Sequence, residues 1–387
     1  MQQSTYSIHL STAKTWRGGE NSIWLLARGL LKRRQRVLVL APGGAPLLER
    51  CQRADVPAQA VQISGELDVL GALRLRRILL EQKPDILHLH DGHAVLPGKM
   101  AALMIPQKML KLVAHRRTVF ELKGRWKYRG RVDRVIAISA AVRERLLARG
   151  IPAASIRVVY SGLEFLESAP QAASVPSKAD TSSVQLRKSL GISEDAVVVS
   201  HAAALTTEKR QTDILYALAK VLEALKGDGH EDVHLLIAGT GELEHGLHNV
   251  ARTLKIETRV HFLGFVEDLR ALWGASNIAL FASEAEGLCT ALIEAQAAGL
   301  PAVVTRAGGM VEVVDDGRTG LIVEVGAIAK LADALLKLIR DASLRQQMGA
   351  AAEIAARKTF SADTMVDGIL NIYRELIAQA SMPAGNG

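Results

Sequence analysis

Residues 281–305 read FASEAEGLCTALIEAQAAGLPAVVT, and the fold class is most readily inferred from them. A β-rich run ends near Ser283, and a helical pattern begins near Thr290. Gly299, with Pro301 beyond it, is a typical helix stop, and a second β-branched run follows. Strand, turn, helix and strand in this order predict a parallel βαβ unit, whose turn lies at the carboxyl edge of the sheet.

The same alternation of short β-branched runs and helical patterns extends over most of the chain. It predicts strands at 7–10, 36–41, 85–90, 110–115, 134–139 and 156–161, and then at 196–201, 233–238, 260–263, 278–282 and 302–305. A chain of 387 residues is too long for one ordinary core. We therefore predict an α/β fold of two Rossmann-like, doubly wound domains that face each other across a cleft.

The domain bounds follow from the place where this alternation pauses. Residues 167–183 (ESAPQAASVPSKADTSS) are rich in Ser, Ala and Pro and lack periodicity, which is typical of a linker. The predicted organisation is an N-terminal domain over 1–165, a linker or mobile insertion over 166–190, a C-terminal domain over 191–360, a last helix over 361–380 that packs back on the N-terminal domain, and a flexible tail over 381–387.

The chain is basic, with a formal net charge of +8, and the excess is concentrated in the first half. Such a surface binds nucleic acid, anionic lipid headgroups or phosphorylated substrates, or it serves only solubility. No nucleic-acid-binding module is recognisable and only 4% of the residues are aromatic, so we expect no nucleic acid partner.

Cysteine content and hydropathy indicate the compartment. Two cysteines cannot form a disulfide framework and fit a reducing environment. The first residues lack a secretory-signal pattern, and no apolar run reaches the roughly 20 residues of a membrane span. We expect a cytoplasmic protein that is soluble or peripheral at the inner face of the cytoplasmic membrane.

An acidic pair, Glu286 and Glu294, brackets the turn and the helix that follows it. If the whole interval were helical, the two would stand about 12 Å apart along the axis. The acid and nucleophile of a retaining glycosidase stand about 5–5.5 Å apart, so the spacing favours two ends of one long ligand. A surface acid beside an unrelated helix acid remains the alternative. Gly287 permits a tight turn, and the free amides at the helix start suit a diphosphate.

Several stretches, in order along nearly the whole chain, resemble glycosyltransferase family 4. They are RGGENSIWLLARGLLKRRQRVLVLAP (17–42), DILHLHDGHA (85–94), VDRVIAISAAVRERLLARGI (132–151), LLIAGTGELE (235–244) and SEAEGLCTALIEAQAAGLPAVVTRAGGMVEVVDDGRTGLIV (283–323). The resemblance implies the GT-B fold and a retaining glycosyltransferase of the hexosyltransferase type. Its N-terminal domain would bind the acceptor and its C-terminal domain the nucleotide-sugar.

The resemblance also implies site residues. Glu294 matches the acid that binds the ribose, Glu286 the acid beside the donor sugar, and Lys209 the base that holds the diphosphate. His115 matches a histidine that reaches the donor sugar, which makes Glu286, His115 and Lys209 the expected catalytic residues. The expected donor-binding residues are Gly18, Gly19, Lys209, Arg210, Gly241, Val266, Glu286, Gly287, Leu288, Cys289, Thr290 and Glu294. No metal and no other cofactor is expected.

One position departs from the family pattern. Many members have an arginine five residues before the lysine, and this chain has Ala204 there. We therefore expect Lys209 and Arg210 to neutralise the diphosphate, or a group of the N-terminal domain to assist them.

Polar residues at the ends of N-terminal strands suggest an acceptor site. His88 and His90 alternate on one strand and so point to the same face. With Asp91 and His93 they offer a zinc set, but residues that line a cleft are the favoured interpretation. We expect Arg17, Asp91, His93 and Arg116 to contact the acceptor; an ordinary surface role is equally compatible with each of them.

These expectations define one function and two alternatives. The function is transfer of a sugar from a UDP-, GDP- or ADP-sugar to a saccharide or lipid-linked acceptor, as in lipopolysaccharide or capsule biosynthesis. The basic N-terminal half adds an anionic membrane surface as a partner. A nucleotide-sugar 2-epimerase of the same architecture, which needs no acceptor, and an inactive sugar-nucleotide-binding protein are the alternatives.

Overall fold

A computed structural model describes residues 4–103, 105–120, 124–165 and 181–381. These residues form two compact units. The first contains the described residues up to Glu164 together with those from Phe360 onward, and the second contains those from Phe165 to Thr359. Each unit is an α/β domain with one parallel sheet.

The strands pair in parallel throughout and divide between the two units. The first sheet contains β1 (Tyr6–Leu10), β2 (Arg36–Ala41), β3 (Ala58–Ala60), β4 (Ile86–Leu89), β5 (Lys111–Arg116), β6 (Arg134–Ala137) and β7 (Ile156–Val158), in the order β3-β2-β1-β4-β5-β6-β7. The second contains β8 (Val197–Ala202), β9 (Val233–Ala238), β10 (Val260–Gly264), β11 (Ile278–Phe281), β12 (Ala302–Thr305) and β13 (Gly320–Val323), in the order β10-β9-β8-β11-β12-β13. The predicted fold of two Rossmann-like domains is confirmed.

Helices connect the strands. They are α1 (Gly18–Lys32), α2 (Pro46–Arg53), α3 (Val69–Gln82), α4 (Gly92–Ala102), α5 (Ala140–Ala148), α6 (Thr181–Ser189), α7 (Gln211–Ala224), α8 (Glu244–Thr253), α9 (Arg270–Gly274), α10 (Thr290–Ala297), α11 (Met310–Val313), α12 (Ile328–Arg340), α13 (Ala342–Thr359) and α14 (Ala362–Ser381). The predicted helix start at Thr290 coincides with that of α10.

The central strands of both sheets are buried on their two faces, which explains their sequences. Strands β8 (VVVSHA) and β9 (VHLLIA) are buried at every position, as is usual for strands covered by helices on both sides. The strand order reverses between β1 and β4 in the first sheet and between β8 and β11 in the second. Ligands of open parallel sheets bind beyond the carboxyl ends of the strands at such reversals.

Part of the predicted linker over 166–190 is a helix. Thr181–Ser189 forms α6, which packs against α9, while 166–180 lies outside the described residues. The Arg187 guanidinium fixes this helix by donating to the carbonyl oxygens of Ala275 at 2.8 Å and Ala196 at 3.2 Å. The composition of the segment concealed this helix because tertiary contacts, rather than an apolar stripe, hold it. The predicted tail is outside the described residues from 382 onward.

The last helix, α14, belongs to the first unit and packs against α1. Val366 is fully buried against Gly29, where a Cβ would lie only 2.4 Å from the valine methyl group. Arg33 of α1 pairs with Asp363 at 2.9 Å and with Asp367 at 2.6 Å. The end of the chain therefore completes the core of the N-terminal domain.

Candidate active site

The reversal point of the second sheet brings two predicted residues together. Lys209 follows β8 and ends a short 3-10 turn, and Glu286 lies in the turn that follows β11. Since β8 and β11 are neighbours, these two loops lie side by side. The Lys209 ammonium donates to the Glu286 carboxylate, and the Ser283 hydroxyl donates to the same carboxylate at 3.2 Å.

The Lys209–Glu286 pair is largely removed from solvent. The lysine side chain is 18% exposed and the glutamate side chain 11%. Burial opposes the charge on Lys209, but the carboxylates of Glu286 and Glu208 outweigh it and raise the pKa of the lysine. The site therefore holds a permanent cation at the carboxyl edge of the sheet.

The turn between Glu286 and α10 presents its backbone. The side chains of Leu288 and Cys289 are buried, and burial raises the pKa of the Cys289 thiol far above its ordinary value. Within the described chain, the amide groups of Gly287, Leu288, Cys289 and Thr290 donate to no backbone carbonyl. Free amides at a helix amino end attract an anion.

A second glycine pair supports this turn from behind. A Cβ on Gly308 would lie 1.9 Å from the Glu286 carbonyl oxygen, and one on Gly309 would lie 2.4 Å from that of Gly287. The Gly309 amide donates to the Glu286 carbonyl at 3.1 Å. The loop after β12 thus packs against the turn that carries Glu286 and fixes the position of its backbone.

Glu294 lies on α10, about one helical turn beyond the free amides. Its side chain is partly buried, and burial raises the pKa of its carboxyl. It forms no ion pair with the described residues; the neighbouring Trp273 side chain partly opposes the shift, and the Asp268 carboxylate adds to it. A desolvated carboxylate without a basic partner is suited to accept hydrogen bonds from neutral hydroxyls.

Arg210 and Ala204 clarify the departure from the family pattern. Arg210 donates to Asp213 at 2.7 Å and to Glu284 at 3.0 Å, so two carboxylates already neutralise it. Ala204 contributes its carbonyl oxygen, which accepts from the Gln211 amide at 2.8 Å. Lys209 therefore remains the better placed cation of the two predicted ones.

The loops after β9 and β10 form the neighbouring part of this edge. A Cβ on Gly241 would lie 2.3 Å from the Leu205 carbonyl oxygen, so only glycine allows this loop to approach the loop after β8. Gly239 has a φ of +138° and its amide donates to the Gly264 carbonyl at 2.7 Å. Val266 is partly buried and lies two residues beyond the end of β10.

In the first unit, the reversal point carries Gly18 and Gly19 at the amino end of α1. Arg17 precedes them with an exposed side chain, and its amide donates to the Glu20 carboxylate at 2.9 Å. The side chain of Arg117, which follows β5, lies close to Gly19: a Cβ there would be 3.5 Å from its Cδ. Burial lowers the pKa of Arg117 to about 10, and the nearby Glu20 and Asp91 carboxylates partly oppose this.

Four buried histidines lie beside this point: His9, His88 and His115 on three adjacent strands, and His90 directly after the middle one. His115 Nδ1 is 3.2 Å from His88 Nε2, and His88 Nδ1 is 2.6 Å from the Tyr373 hydroxyl of α14. His9 Nδ1 is 2.9 Å from His90 Nε2. Burial lowers the pKa of every ring in this cluster, to about 3 for His9, so all are neutral at physiological pH.

The structure does not bring His88, His90, Asp91 and His93 together as the zinc ligands that the sequence suggested. Nitrogens of His9, His88 and His90 lie within 4.8 Å of one another, but His93 is exposed and lies beside Glu66 instead. The 2.9 Å between His9 and His90 nitrogens fits a hydrogen bond. Two nitrogen ligands of tetrahedral zinc would be about 3.3 Å apart. The geometry of these rings is that of hydrogen-bonded pairs, with His9 joined to His90 and His88 joined to His115.

The residues expected at the acceptor have other contacts in the structure. Asp91 caps α4 by accepting from the amides of His93 and Ala94, and it accepts from the amide and the hydroxyl of Thr12, both at 2.7 Å. Arg116 donates to the carbonyl oxygens of its own loop, at Thr118 and Phe120. Their contacts give Asp91 and Arg116 structural roles, whereas Arg17 and His93 are exposed.

Sequence reasoning missed His9 and Tyr373. His9 alternates with Ser7 on β1, which ends at the same edge as β4, and this was a usable signal. Tyr373 joins His88 across 285 positions of sequence, and nothing in its own helix pattern distinguishes it from a core residue.

Two family models match this chain in succession. The model described as Glycosyltransferase Family 4 matches residues 16–165, and the model described as Glycosyl transferases group 1 matches residues 183–354. Together they cover most of both units.

Curated relatives match over part of their length. N-acetyl-alpha-D-glucosaminyl L-malate synthase of Bacillus anthracis is 33% identical over 193 residues, which are 50% of this chain and 49% of that protein. Lipopolysaccharide core biosynthesis glycosyltransferase LpsE of Rhizobium meliloti is 31% identical over 140 residues, 36% of this chain and 41% of that protein. The chain spans about half the length of the first curated relatives that it matches.

A solved structure matches over nearly the full length. Anabaena Alr3699/HepE in complex with UDP has a TM-score of 0.81 at 22% identity, covering 96% of this chain and 100% of that one. At this identity the likeness shows the fold alone. The two consecutive family matches decide the family, and the chain belongs to glycosyltransferase family 4.

Proposed function

We propose that this protein is a retaining glycosyltransferase that moves a hexosyl group from a nucleotide-sugar to an acceptor of the bacterial cell envelope. The observation that carries the proposal is the arrangement at the reversal point of the second sheet. There the buried Lys209–Glu286 pair stands beside four free backbone amides, and Glu294 follows about one helical turn later. Lys209 and the free amides suit the diphosphate of a nucleotide-sugar, and Glu294 suits its ribose hydroxyls. These groups follow one another in the same order as those parts of the ligand.

The donor binds along α10. The Glu294 carboxylate accepts hydrogen bonds from the vicinal ribose hydroxyls, which need no counter-charge. The diphosphate lies at the amides of Gly287–Thr290, where the helix amino end favours negative charge. Lys209 then shares its ammonium protons between the diphosphate and Glu286, and this keeps Glu286 beside the sugar.

Catalysis consists mainly of charge stabilisation. Breaking the anomeric C–O bond leaves negative charge on the diphosphate and an oxocarbenium-like sugar. Lys209 and the turn amides are fixed where the negative charge develops, and such preorganised groups contribute most of the rate gain. Glu286 positions the sugar and stabilises its positive charge, and the departing phosphate oxygen takes the acceptor proton on the same face.

A donor and acceptor screen tests the proposal. UDP-sugars come first in it, because the Anabaena neighbour was solved with UDP; GDP- and ADP-sugars follow. Binding should raise the melting temperature, and addition of lipid-linked or oligosaccharide acceptors should release the nucleoside diphosphate with retention at the anomeric carbon. Failure of every donor to bind would overturn the proposal.

The 2-epimerase alternative predicts a different result with donor alone. An epimerase converts the nucleotide-sugar without any acceptor, whereas a transferase leaves the sugar configuration unchanged. Rapid epimerisation in a donor-only incubation would replace the proposed function. Donor binding without transfer to any acceptor would instead favour the inactive binding protein.

The acceptor class is supported by a surface on the first unit. Helix α3 exposes a row of apolar side chains, with Val69 60%, Leu70 64%, Leu73 56% and Leu80 50% exposed. Exposed Arg77 lies within this row and pairs with Glu81 at 2.8 Å, and exposed Arg74 lies beside the row. No helix among the described residues has the length and apolarity needed to cross a bilayer. An exposed apolar row that carries arginines fits an anionic lipid surface, on which a lipid-linked acceptor is held.

A further inference from the structure

A line of three buried side chains ends at the free nitrogen of His115. The Tyr373 hydroxyl is 2.6 Å from His88 Nδ1, and His88 Nε2 is 3.2 Å from His115 Nδ1. The exposed fractions are 0% for Tyr373, 0% for His88 and 3% for His115. His115 Nε2, at the far end, is buried and has no hydrogen-bond partner in the parts of the chain that the structure describes.

The direction of the hydrogen bonds in this line follows from its first member. Tyr373 is neutral, because burial raises the pKa of its phenol well above the ordinary value. His88 Nδ1 is the one partner of its hydroxyl among the described residues. A buried hydroxyl with one partner donates to it, since the opposite direction would leave the hydroxyl proton without an acceptor.

The tautomers of the two histidines follow in turn. Burial lowers the pKa of both rings, so each carries one proton. His88 accepts at Nδ1 and therefore holds its proton on Nε2, which donates to His115 Nδ1. His115 then carries its own proton on Nε2, the nitrogen that has no partner.

We infer that Tyr373 and His88 position His115 and fix its tautomer, so that its Nε2 presents an N–H group to a substrate oxygen at the carboxyl edge of the first sheet. This inference rests on the proposed glycosyl transfer. It gives the last helix a second role besides packing: α14 supplies the hydroxyl that sets the proton on a residue of β5.

The groups around His115 favour a neutral ring whose Nε2–H donates a hydrogen bond. Arg117 contacts His90 Nδ1 at 3.4 Å, and its charge acts against protonation of His88, His90 and His115. His9 and His90 form their own hydrogen bond and leave the line from Tyr373 to His115 undisturbed. A neutral N–H stabilises negative charge that develops on a substrate oxygen without exchanging its proton.

The kinetic test removes one hydroxyl. Tyr373→Phe should lower kcat about five- to tenfold and leave the donor KM within about twofold, because the N–H acts most on charge that develops in the transition state. The matched control is Tyr6→Phe, which removes another buried hydroxyl of this unit, one that donates to Gln82 at 2.7 Å. It should leave kcat unchanged.

A double-mutant cycle separates positioning from general destabilisation. In a His115→Ala background, Tyr373→Phe should cause no further loss of kcat, because its effect passes through His115. An equal loss in both backgrounds would overturn the inference. Thermal melts of all variants check that they remain folded.

Nitrogen NMR of the imidazoles decides the tautomer without any enzyme assay. In the wild type, the resonances that disappear in His115→Ala should be those of a ring protonated at Nε2 and bare at Nδ1. In Tyr373→Phe they should shift toward a mixture of tautomers. A wild-type His115 protonated at Nδ1 would overturn the inference even if glycosyl transfer is observed. If no transfer is found but the tautomer is as stated, the proposed function fails and the Tyr373–His88–His115 line stands.

Discussion

Glu294 is partly buried and has no basic partner among the described residues, and this combination has a measurable cost. Burial raises the pKa of its carboxyl, so the folded protein at neutral pH holds a charge that is less stable there than in water. Residues of this kind reduce stability in exchange for binding, and they are expected where a ligand supplies the missing hydrogen bonds.

Replacing Glu294 with glutamine should separate stability from binding. Glu294→Gln removes the desolvated charge, so we expect an equal or higher melting temperature at pH 7 together with a nucleotide Kd weaker by about tenfold. In the wild type, nucleotide affinity should fall as pH drops through the raised pKa of this carboxyl, and the variant should lose that dependence. Calorimetric titrations between pH 7 and pH 5 measure both. A glutamine variant with unchanged affinity would show that Glu294 does not bind the ribose.

Lys209 is predicted to act on the leaving diphosphate. Lys209→Met should lower kcat about 100- to 1,000-fold, the cost of removing one preorganised charge donor. Lys220→Met, an exposed lysine on α7, is the matched control and should leave kcat unchanged. Product release measured with saturating donor provides the comparison. A kcat that stays within about twofold after the Lys209 change would remove this residue from the mechanism.

Some of the candidate site residues can be predicted from sequence patterns and others cannot, and the difference has a physical reason. Glu286, Glu294 and the turn between them belong to one βαβ unit, so local spacing and family resemblance find them. Lys209 needs the resemblance, because its partner Glu286 lies 77 positions away. Tyr373 needs the structure, because a hydrogen bond between distant elements leaves no periodic signal.

Among the elements, the turn after β11 depends on the loop after β12. Gly308 has a φ of +50°, and a Cβ there would lie 1.9 Å from the Glu286 carbonyl oxygen. Any residue other than glycine at position 308 would force the loops after β11 and β12 apart. The geometry of the turn that carries Glu286 therefore explains the two glycines of the motif RAGG at 306–309, which is part of the stretch that resembles the family.

A pair of alanine substitutions tests this dependence. Gly308→Ala introduces both left-handed strain and the clash, and should abolish donor binding with more than about 2 kcal/mol of destabilisation. Gly317→Ala is matched, because Gly317 has a φ of +77° and open space around its Cβ position. It should cost only the strain of about 1 kcal/mol and retain donor binding. Chemical denaturation and nucleotide titration measure the two losses. If both substitutions lowered stability and donor binding equally, the clash between a Cβ at position 308 and the Glu286 carbonyl would not be the cause.

The exposed row of α3 gives a prediction for membrane binding. Leu70→Ser with Leu73→Ser should reduce co-sedimentation with anionic vesicles several-fold, because it removes apolar area that would be buried at the interface. Ile354→Ser, a 67% exposed apolar residue of α13, is the control and should leave binding unchanged. Wild-type binding should also fall with added salt. Binding that is equal for neutral and anionic vesicles and insensitive to salt would contradict this surface.

The elements that sequence patterns missed share one property. Strands β3 and β13 are three and four residues long, and α6 is held by side-chain hydrogen bonds from Arg187. Such short elements are stabilised by the sheet edge or domain surface on which they dock, so their own residues carry little periodicity. The central strands, whose apolar runs are buried on both faces, were predictable for the opposite reason.

At the scale of the whole molecule, buried histidines are unevenly distributed. The first unit holds His9, His88, His90 and His115, each with a pKa lowered mainly by burial. In the second unit, His201 is fully buried, with its pKa lowered to about 4. Burial also lowers the pKa of the buried His234 and the half-buried His261 there, but these two rings are less completely removed from solvent than the four of the first unit. The unfolded chain protonates these rings near pH 6.5 and the folded units do not.

The first unit should therefore lose stability sooner on acidification. Because each lowered histidine pKa makes the unfolded state bind more protons below pH 6.5, the free energy of unfolding falls by about 1.4 kcal/mol per pH unit for each ring. Four rings together approach the roughly 5–15 kcal/mol of a typical domain within a few pH units. Hydrogen exchange measured by mass spectrometry from pH 7 to pH 5 should show peptides of β1, β4 and β5 losing protection before those of β8, β9 and β11.

A substitution pair identifies the histidines as the cause of this acid sensitivity. His9→Gln removes one titrating ring and should reduce the pH slope of the first unit by about one proton. His230→Gln, at an exposed position, is the control and should leave the slope of either unit unchanged. Simultaneous loss of protection in both units, or an unaltered slope after the His9 change, would show that other groups govern the response. Because His115 depends on its neighbours for its tautomer, transfer activity should decline in the same pH range in which the first unit loses protection.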